Sequence, residues 1–263
     1  MTTLVLYEHP LSPYAQKCKI ALYEKGVDFT VKIPTAIGTG QVDPGFLAAS
    51  PRGEVPALVD GDFSVFDSTV ILEYIEDRFP SPPLLPRDAR LRAKARMIED
   101  AMDTLFEPIN WGLGELRWFK RAEGERARVI EARAASQARD FYAWLERQLG
   151  DGPWFCGDRF GWADLSVIPY VNGSTGLGIG PSASSRLGQW QARANGRASV
   201  AKTATAATES LQGMALVGEA VKQRLFKREY RDHRLEWMIR SGGLDVVLEG
   251  LKADTIRFSN EFK

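Results

Sequence analysis

The chain has 263 residues, of which 44% are apolar and 26% charged, and its 34 Lys and Arg balance 34 Asp and Glu. That length can bury one large core or two unequal ones, and the composition excludes a disordered or fibrous chain. Balanced charge gives no electrostatic case for nucleic-acid binding, so small soluble partners are expected.

The opening MTTLVLYEHP lacks the basic flank, long apolar run and small-residue cleavage site of a secretory signal. No membrane anchor and a cytoplasmic location are therefore expected. Cys18 and Cys156 form no CxxC pair, and His9 and His233 are the only histidines. Neither a disulfide framework nor a metal site is expected from so few ligating residues.

Residues 3–8, TLVLYE, are rich in strand formers; Pro10 and Pro13 interrupt them, and YAQKCKIALYEKG then reads as a helix ending near Gly26. A second strand is expected at 27–33 and a short helix near 45–49. VPALVDGDFSVFD has the pattern of a hairpin, with strands at 55–59 and 63–66 around Asp60-Gly61-Asp62. Ser68 is the expected cap of the helix STVILEYIEDRF, whose Val70, Ile71, Tyr74, Ile75 and Phe79 form a stripe. The first 80 residues thus read β-α-β, a variable connection, then β-β-α.

Four prolines in PSPPLLPRD, 80–88, favour an extended connection. We place a first domain at 1–80, a linker at 81–89 and a mainly helical domain at 90–263. Apolar residues at steps of three and four predict helices over 90–109 and 124–149. Another should begin near Trp162 and bend at Pro169, followed by one at 186–196. Ala201–Thr208 has little apolar periodicity. Met214, Val217, Val221 and Leu225 restore a helical face before KREYRDHR, and Gly242-Gly243 separates this from VVLEGLKADTIRF. The segment from about 213 to 263 is expected to dock on the helical domain and restrict access to a site there, because its apolar clusters are costly to expose.

Ser12 reads both as the cap of the first helix and as a donor to a bound anion. At a strand-to-helix junction its hydroxyl can donate to a thiolate, and the helix end adds N–H groups and a favourable potential for negative charge. Lowering a thiol pKa from ~8.5 to ~6.5 corresponds to about 2.7 kcal/mol of differential stabilisation.

SPYAQKCKIAL at 12–22, SPRGEVPAL at 50–58, FDSTVILEYIEDRFP at 66–80 and WFCGDRFGWADLSVIPY at 154–170 together resemble the cytosolic glutathione transferases of the serine type. The resemblance covers roughly residues 3–200. It implies a fold of α/β plus all-α class, a thioredoxin-like glutathione-binding domain followed by a helical electrophile-binding domain with a C-terminal extension. It implies that Ser12 faces the glutathione sulfur, with Pro13 and Tyr14 completing the motif. It also implies a cis Val55–Pro56 bond that turns the Val55 main chain toward the cysteinyl unit. Asp67 and Ser68 would hold the γ-glutamyl end, although the family more often carries Glu or Gln at the Asp67 position.

Tyr14, Met102, Phe106 and Trp111 are the implied walls of the electrophile site, and Met102, Phe106 and Trp111 read equally well as core. Asp164 matches an aspartate that organises its helix, but Gly161 stands where the family has Ser or Thr. The implied activity is conjugation of glutathione, as cosubstrate, to a hydrophobic electrophile by a metal-free homodimer. A glutathione-dependent dehalogenase or etherase, or a noncatalytic regulatory protein, are the alternatives.

Overall fold

The computed structural model describes residues 4–34, 43–213, 218–219, 221, 223, 225, 228–230 and 232–258. Met214 and Val217, two residues of the expected late helical face, lie outside them.

Strand β1 (Leu4–Tyr7) leads into α1 (Pro13–Glu24), β2 (Phe29–Lys32), α2 (Pro44–Ala49), β3 (Ala57–Asp60), β4 (Phe63–Phe66) and α3 (Ser68–Arg78). The sheet order is β2-β1-β3-β4, with β1 and β2 parallel and the other two pairs antiparallel. A parallel pair needs a crossover, which α1 supplies. Its Ser12 cap and Pro13 in the first turn start the helix, and Gly26, at φ 65°, lets the chain leave it. Leu4, Leu6, Ile20, Leu22, Leu58 and Ile71 fill the space between sheet and helices.

The helical part begins with α4 (Ala89–Ala101), a π turn (Met102–Phe106) and α5 (Glu107–Arg117). The helix expected at 90–109 thus continues to Arg117, with a changed ladder midway. Pro108 has no N–H to donate to the preceding turn, and the Glu107 N–H reaches back five residues to Met102 O. Next come α6 (Gly124–Leu149), α7 (Trp162–Gly176), α8 (Arg186–Asn195) and α9 (Ala198–Leu211). Pro169 lies inside α7, which runs through it.

Helix α9 covers the stretch whose apolar periodicity is weakest. It is fixed by polar contacts instead: Arg197 makes a bidentate pair with Glu24 of α1, and the Ser199 hydroxyl donates to the same carboxylate. Gly161 at the start of α7 has a steric reason, since a Cβ there would sit 2.5 Å from the Leu84 carbonyl oxygen. The 80–88 connection therefore packs directly on the helix start, and the Trp162 N–H donates to that carbonyl at 2.9 Å.

The chain ends in β5 (Arg228–Tyr230), α10 (Asp232–Arg240), α11 (Leu244–Lys252) and β6 (Ile256–Phe258). Val221, Trp237, Met238, Val246 and Val247 are buried, whereas Leu225 is 66% exposed. Trp237 packs closely on Gly112 of α5, where a Cβ would meet its ring at 2.2 Å, and its Nε1–H donates to Gln137 of α6 at 2.7 Å. So α10 is docked on the helical domain.

Candidate functional site at two helix ends

The starts of α1 and α3 lie side by side, joined where the Cys18 thiol reaches the Ser68 carbonyl at 3.5 Å. Neither helix has an acidic residue in its first turn, although the Asp67 carboxylate caps the start of α3.

Ser12 is half-buried and caps α1, its Oγ accepting the Ala15 N–H at a long 3.3 Å. The loop before it is held locally: the Ser12 N–H donates to His9 O, Leu11 N–H to His9 Nδ1, and the Gln16 amide to Pro10 O. Burial lowers the pKa of His9. The hydroxyl proton of Ser12 has no protein acceptor among the described residues and can be offered to an anion.

The Val55–Pro56 bond is cis. The segment before it is pinned by buried Ser50, whose hydroxyl accepts the Glu54 N–H at 3.2 Å and donates to Glu54 O at 2.8 Å. Pairing of β3 with β1, Ala57 opposite Tyr7, brings Val55 to the end of the sheet where Ser12 starts α1.

The cap of α3 differs from the sequence expectation. Asp67, rather than Ser68, accepts the N–H groups of Thr69 and Val70, at 3.0 and 3.3 Å, and Ser68 is the first helical residue. Asp67 holds φ 75°, a left-handed conformation that short polar residues tolerate better than others. The shorter Asp side chain suits a cap, which an added methylene would carry past the N–H groups.

Met102 and Phe106 have no exposed surface and pack inside the core. Phe106 meets Phe141, Tyr142 and Tyr170, so these two residues are backing rather than open wall. The π turn spans these two residues and carries Asp103 between them. The Tyr14 hydroxyl donates to Asp103 O at 2.9 Å, and its ring meets Tyr170 edge-on. Burial, Glu107 and Asp103 push the Tyr14 pKa well up, against the lowering influence of Arg234. Trp111, one turn past Glu107, is partly buried under the Arg234 guanidinium at 5.2 Å.

The sequence did not signal the node that Arg234 forms. It pairs with Glu107, Nη2 to Oε1 at 2.8 Å, and His233 lies 3.3 Å from the other carboxylate oxygen. Burial alone would raise the Glu107 pKa, but Arg234 and His233 outweigh it and hold it below the usual value. A charge on a distant segment finding an acid on α5 leaves no local pattern to read. Asp164 is likewise fully buried, with partners at Phe155 N, Gly161 N and Trp190 Nε1, and it belongs to the start of α7.

A cleft of about 390 Å³ opens elsewhere, between the π turn, α6 and α10, lined by Leu105, Pro108, Phe141, Trp144 and Trp237. None of Ser12, Val55, Asp67 or Ser68 reaches it, so chemistry gives the helix ends precedence over cavity size. Among the described residues no cluster of His, Cys, Asp and Glu could hold a metal, and no helix is long and apolar enough to cross a membrane.

A mixed β/α thioredoxin-like domain joined to an all-helical domain defines a class of two-domain proteins. Family models agree: residues 6–83 match "Glutathione S-transferase, N-terminal domain" and 125–178 match "Glutathione S-transferase, C-terminal domain". Glutathione S-transferase 1 of Dianthus caryophyllus is 33% identical over 66% of this chain and 79% of its own. Maleylacetoacetate isomerase of Pseudomonas aeruginosa is 31% identical over 69% and 86%. The structure of rice GST1 in complex with glutathione superposes with a TM-score of 0.66 at 27% identity, covering 83% of this chain and 97% of that one. The chain belongs to the glutathione S-transferase superfamily.

Proposed function

We propose that the protein binds glutathione across the two helix ends and uses its thiolate as a nucleophile toward a hydrophobic electrophile, leaving a thioether conjugate. The observation that carries this reading is the half-buried Ser12 hydroxyl, which caps α1 through one long contact and keeps its proton available. Ser12 donates to the sulfur and the α1 N-terminus favours its charge, so thiolate is the populated form near neutral pH. The Val55 main chain pairs with the cysteinyl unit. The end of α3, with Ser68, receives the γ-glutamyl carboxylate, and Asp67 answers the ammonium group. Tyr14 and Trp111 face the electrophile, with Met102 and Phe106 behind them.

The chain works as a homodimer in the cytoplasm on this reading. Exposed Val70 of α3 and Met97 of α4 supply apolar surface for a second copy. Dehalogenation and ether cleavage begin with the same sulfur attack and belong to the same reading. Likeness to maleylacetoacetate isomerase over 86% of that protein favours one further variant, in which the thiolate adds reversibly to an activated double bond.

Product mass after mixing the protein with glutathione and diverse electrophiles separates conjugation, dehalogenation and ether cleavage, and chromatography of the isomers formed from maleylacetoacetate, whose mass does not change, reads the reversible addition. Ser12→Ala should lower turnover by about 100-fold or more and raise the pKa of bound glutathione, followed by ultraviolet thiolate titration. Unchanged titration and turnover in folded Ser12→Ala would sink the assignment. Tight glutathione binding with no product across the panel would favour the noncatalytic regulatory alternative.

A further inference from the structure

Lys17 lies in the middle of α1, one turn inside the Ser12 end, and its side chain has no exposed surface. Its Nζ donates to Glu99 Oε1 of α4 at 2.6 Å and to Asp103 Oδ2 of the π turn at 2.5 Å. Each acidic residue then continues to a different half of the proposed site, Glu99 through its carboxylate and Asp103 through its main chain. Glu99 accepts the Thr69 hydroxyl at 2.9 Å, and the Thr69 N–H is bonded to the Asp67 cap. Asp103 receives the Tyr14 hydroxyl on its main-chain oxygen, two residues from Ser12, while Tyr170 donates to its Oδ1 at 2.7 Å. Trp162 of α7 completes the set by donating its Nε1–H to Glu99.

One ammonium cannot neutralise two buried carboxylates. Burial raises the Asp103 pKa to about 6 against the lowering influence of Lys17, and Glu99 adds to the rise. Burial alone would lower the Lys17 pKa, but Asp103 and Glu99 hold it up. Well-packed apolar side chains in the same volume would be as stable or more so, whereas an ion network fixes direction and register.

We propose that Lys17 is a positioning residue of the glutathione site: through Glu99 and Asp103 on the helical domain, it sets the helix end that carries Ser12 against the helix end that carries Asp67 and Ser68. The inference rests on the glutathione reading above and adds a task for the helical domain, which holds the two halves of the tripeptide site in one geometry.

The test is a double-mutant cycle between the remote ends of the network. Tyr14→Phe and Thr69→Val each remove one hydroxyl, leaving Lys17 paired. Calorimetry gives the glutathione dissociation constant of each folded variant, and ultraviolet titration the pKa of the bound thiol. The double variant should lose about 3- to 10-fold less affinity than the product of the single losses. That coupling should vanish when the cycle is repeated in Lys17→Met. Asp103→Asn, nearly isosteric, serves in its place if Lys17→Met does not fold. Multiplicative single effects within about 1.5-fold, or coupling that persists in the Lys17→Met or Asp103→Asn background, overturn the proposal. Absence of glutathione binding to the unmodified protein would instead remove the functional reading beneath it.

Discussion

Among the helix starts that carry a polar side chain in a capping position, those of α7 and α1 are built for different ends. At α7, Asp164 is fully buried and answers three N–H donors, Phe155 at 3.2 Å, Gly161 at 3.0 Å and Trp190 at 2.7 Å. At α1, Ser12 is half-buried and answers one donor at 3.3 Å. A saturated acceptor in the core has nothing left to offer a ligand, and its contribution is stability. An unsaturated hydroxyl at an open helix end contributes little to stability and keeps its capacity for something that binds. Both positions stand out in the sequence, and burial and saturation separate their roles.

The widest separation should come from Asp164→Ala. It leaves three buried donors, one of them an indole, with no acceptor, so unfolding free energy should fall by about 3–5 kcal/mol in urea titration. Glutathione affinity of the molecules that remain folded should stay within about twofold. A loss under about 1 kcal/mol would remove the distinction between the two helix starts.

The pH dependence of Asp164 sharpens the same contrast. Burial pushes its pKa from 3.8 up to about 7, against the lowering influence of the Trp190, Gly161 and Phe155 hydrogen bonds. A raised carboxyl pKa means that the folded state holds its proton where the unfolded chain has released it. Stability from this group is full below about pH 4 and is lost as pH rises toward 7. Compared with Asp164→Asn, the unmodified protein should therefore hold its largest advantage near pH 4, and the gap should narrow toward pH 7. A gap that widens over that window would show an aspartate kept ionised by its donors.

How far these differences were legible depends on whether their causes are local. The β-α-β and β-β-α halves, the hairpin at Asp60-Gly61 and the α1 start came from turn residues and periodicity, which act over a few positions. Cap identity at α3 failed because Asp67 and Ser68 are both good caps, and the left-handed backbone at Asp67 decides between them. Met102 and Phe106 read as wall or core alike, and the packing that leaves both without exposed surface comes from distant helices, as with Phe141 on Phe106. Helix α9 has few apolar positions and is held by Glu24, 173 residues earlier than Arg197. Lys17, Glu99 and Asp103 show only an i, i+4 acid spacing, and the lysine that unites them lies 82 and 86 residues away.

Glu107 tests the docked C-terminal segment at intermediate scale. Its carboxylate is 4% exposed and pairs with Arg234, itself 16% exposed. Glu107→Gln leaves that guanidinium buried without its counter-charge, so amides of α10 and α11 should exchange about 10- to 100-fold faster while those of α1 and α6 hold their protection. Because the Glu107 pKa lies below the usual value, its stabilising effect is present above about pH 4.5 and fades as pH falls further. Unchanged exchange would mean that Trp237 on Gly112 secures the segment unaided.

The smallest expected effect is on the stability of Ser12→Ala, and the comparison depends on its being small. One 3.3 Å contact to the Ala15 N–H is lost, at a helix end that water reaches. Pro13 in the first turn keeps the backbone preset for helix, and the His9 carbonyl still takes the residue-12 N–H. Thermal or urea unfolding should register at most about 1 kcal/mol, the usual cost of a cap replaced by alanine. Yet the same substitution should cost turnover about 2.7 kcal/mol or more, because the hydroxyl's main partner is the sulfur that arrives with the ligand. A stability loss near that of Asp164→Ala would place Ser12 among the structural caps, and the availability of its proton would then be incidental.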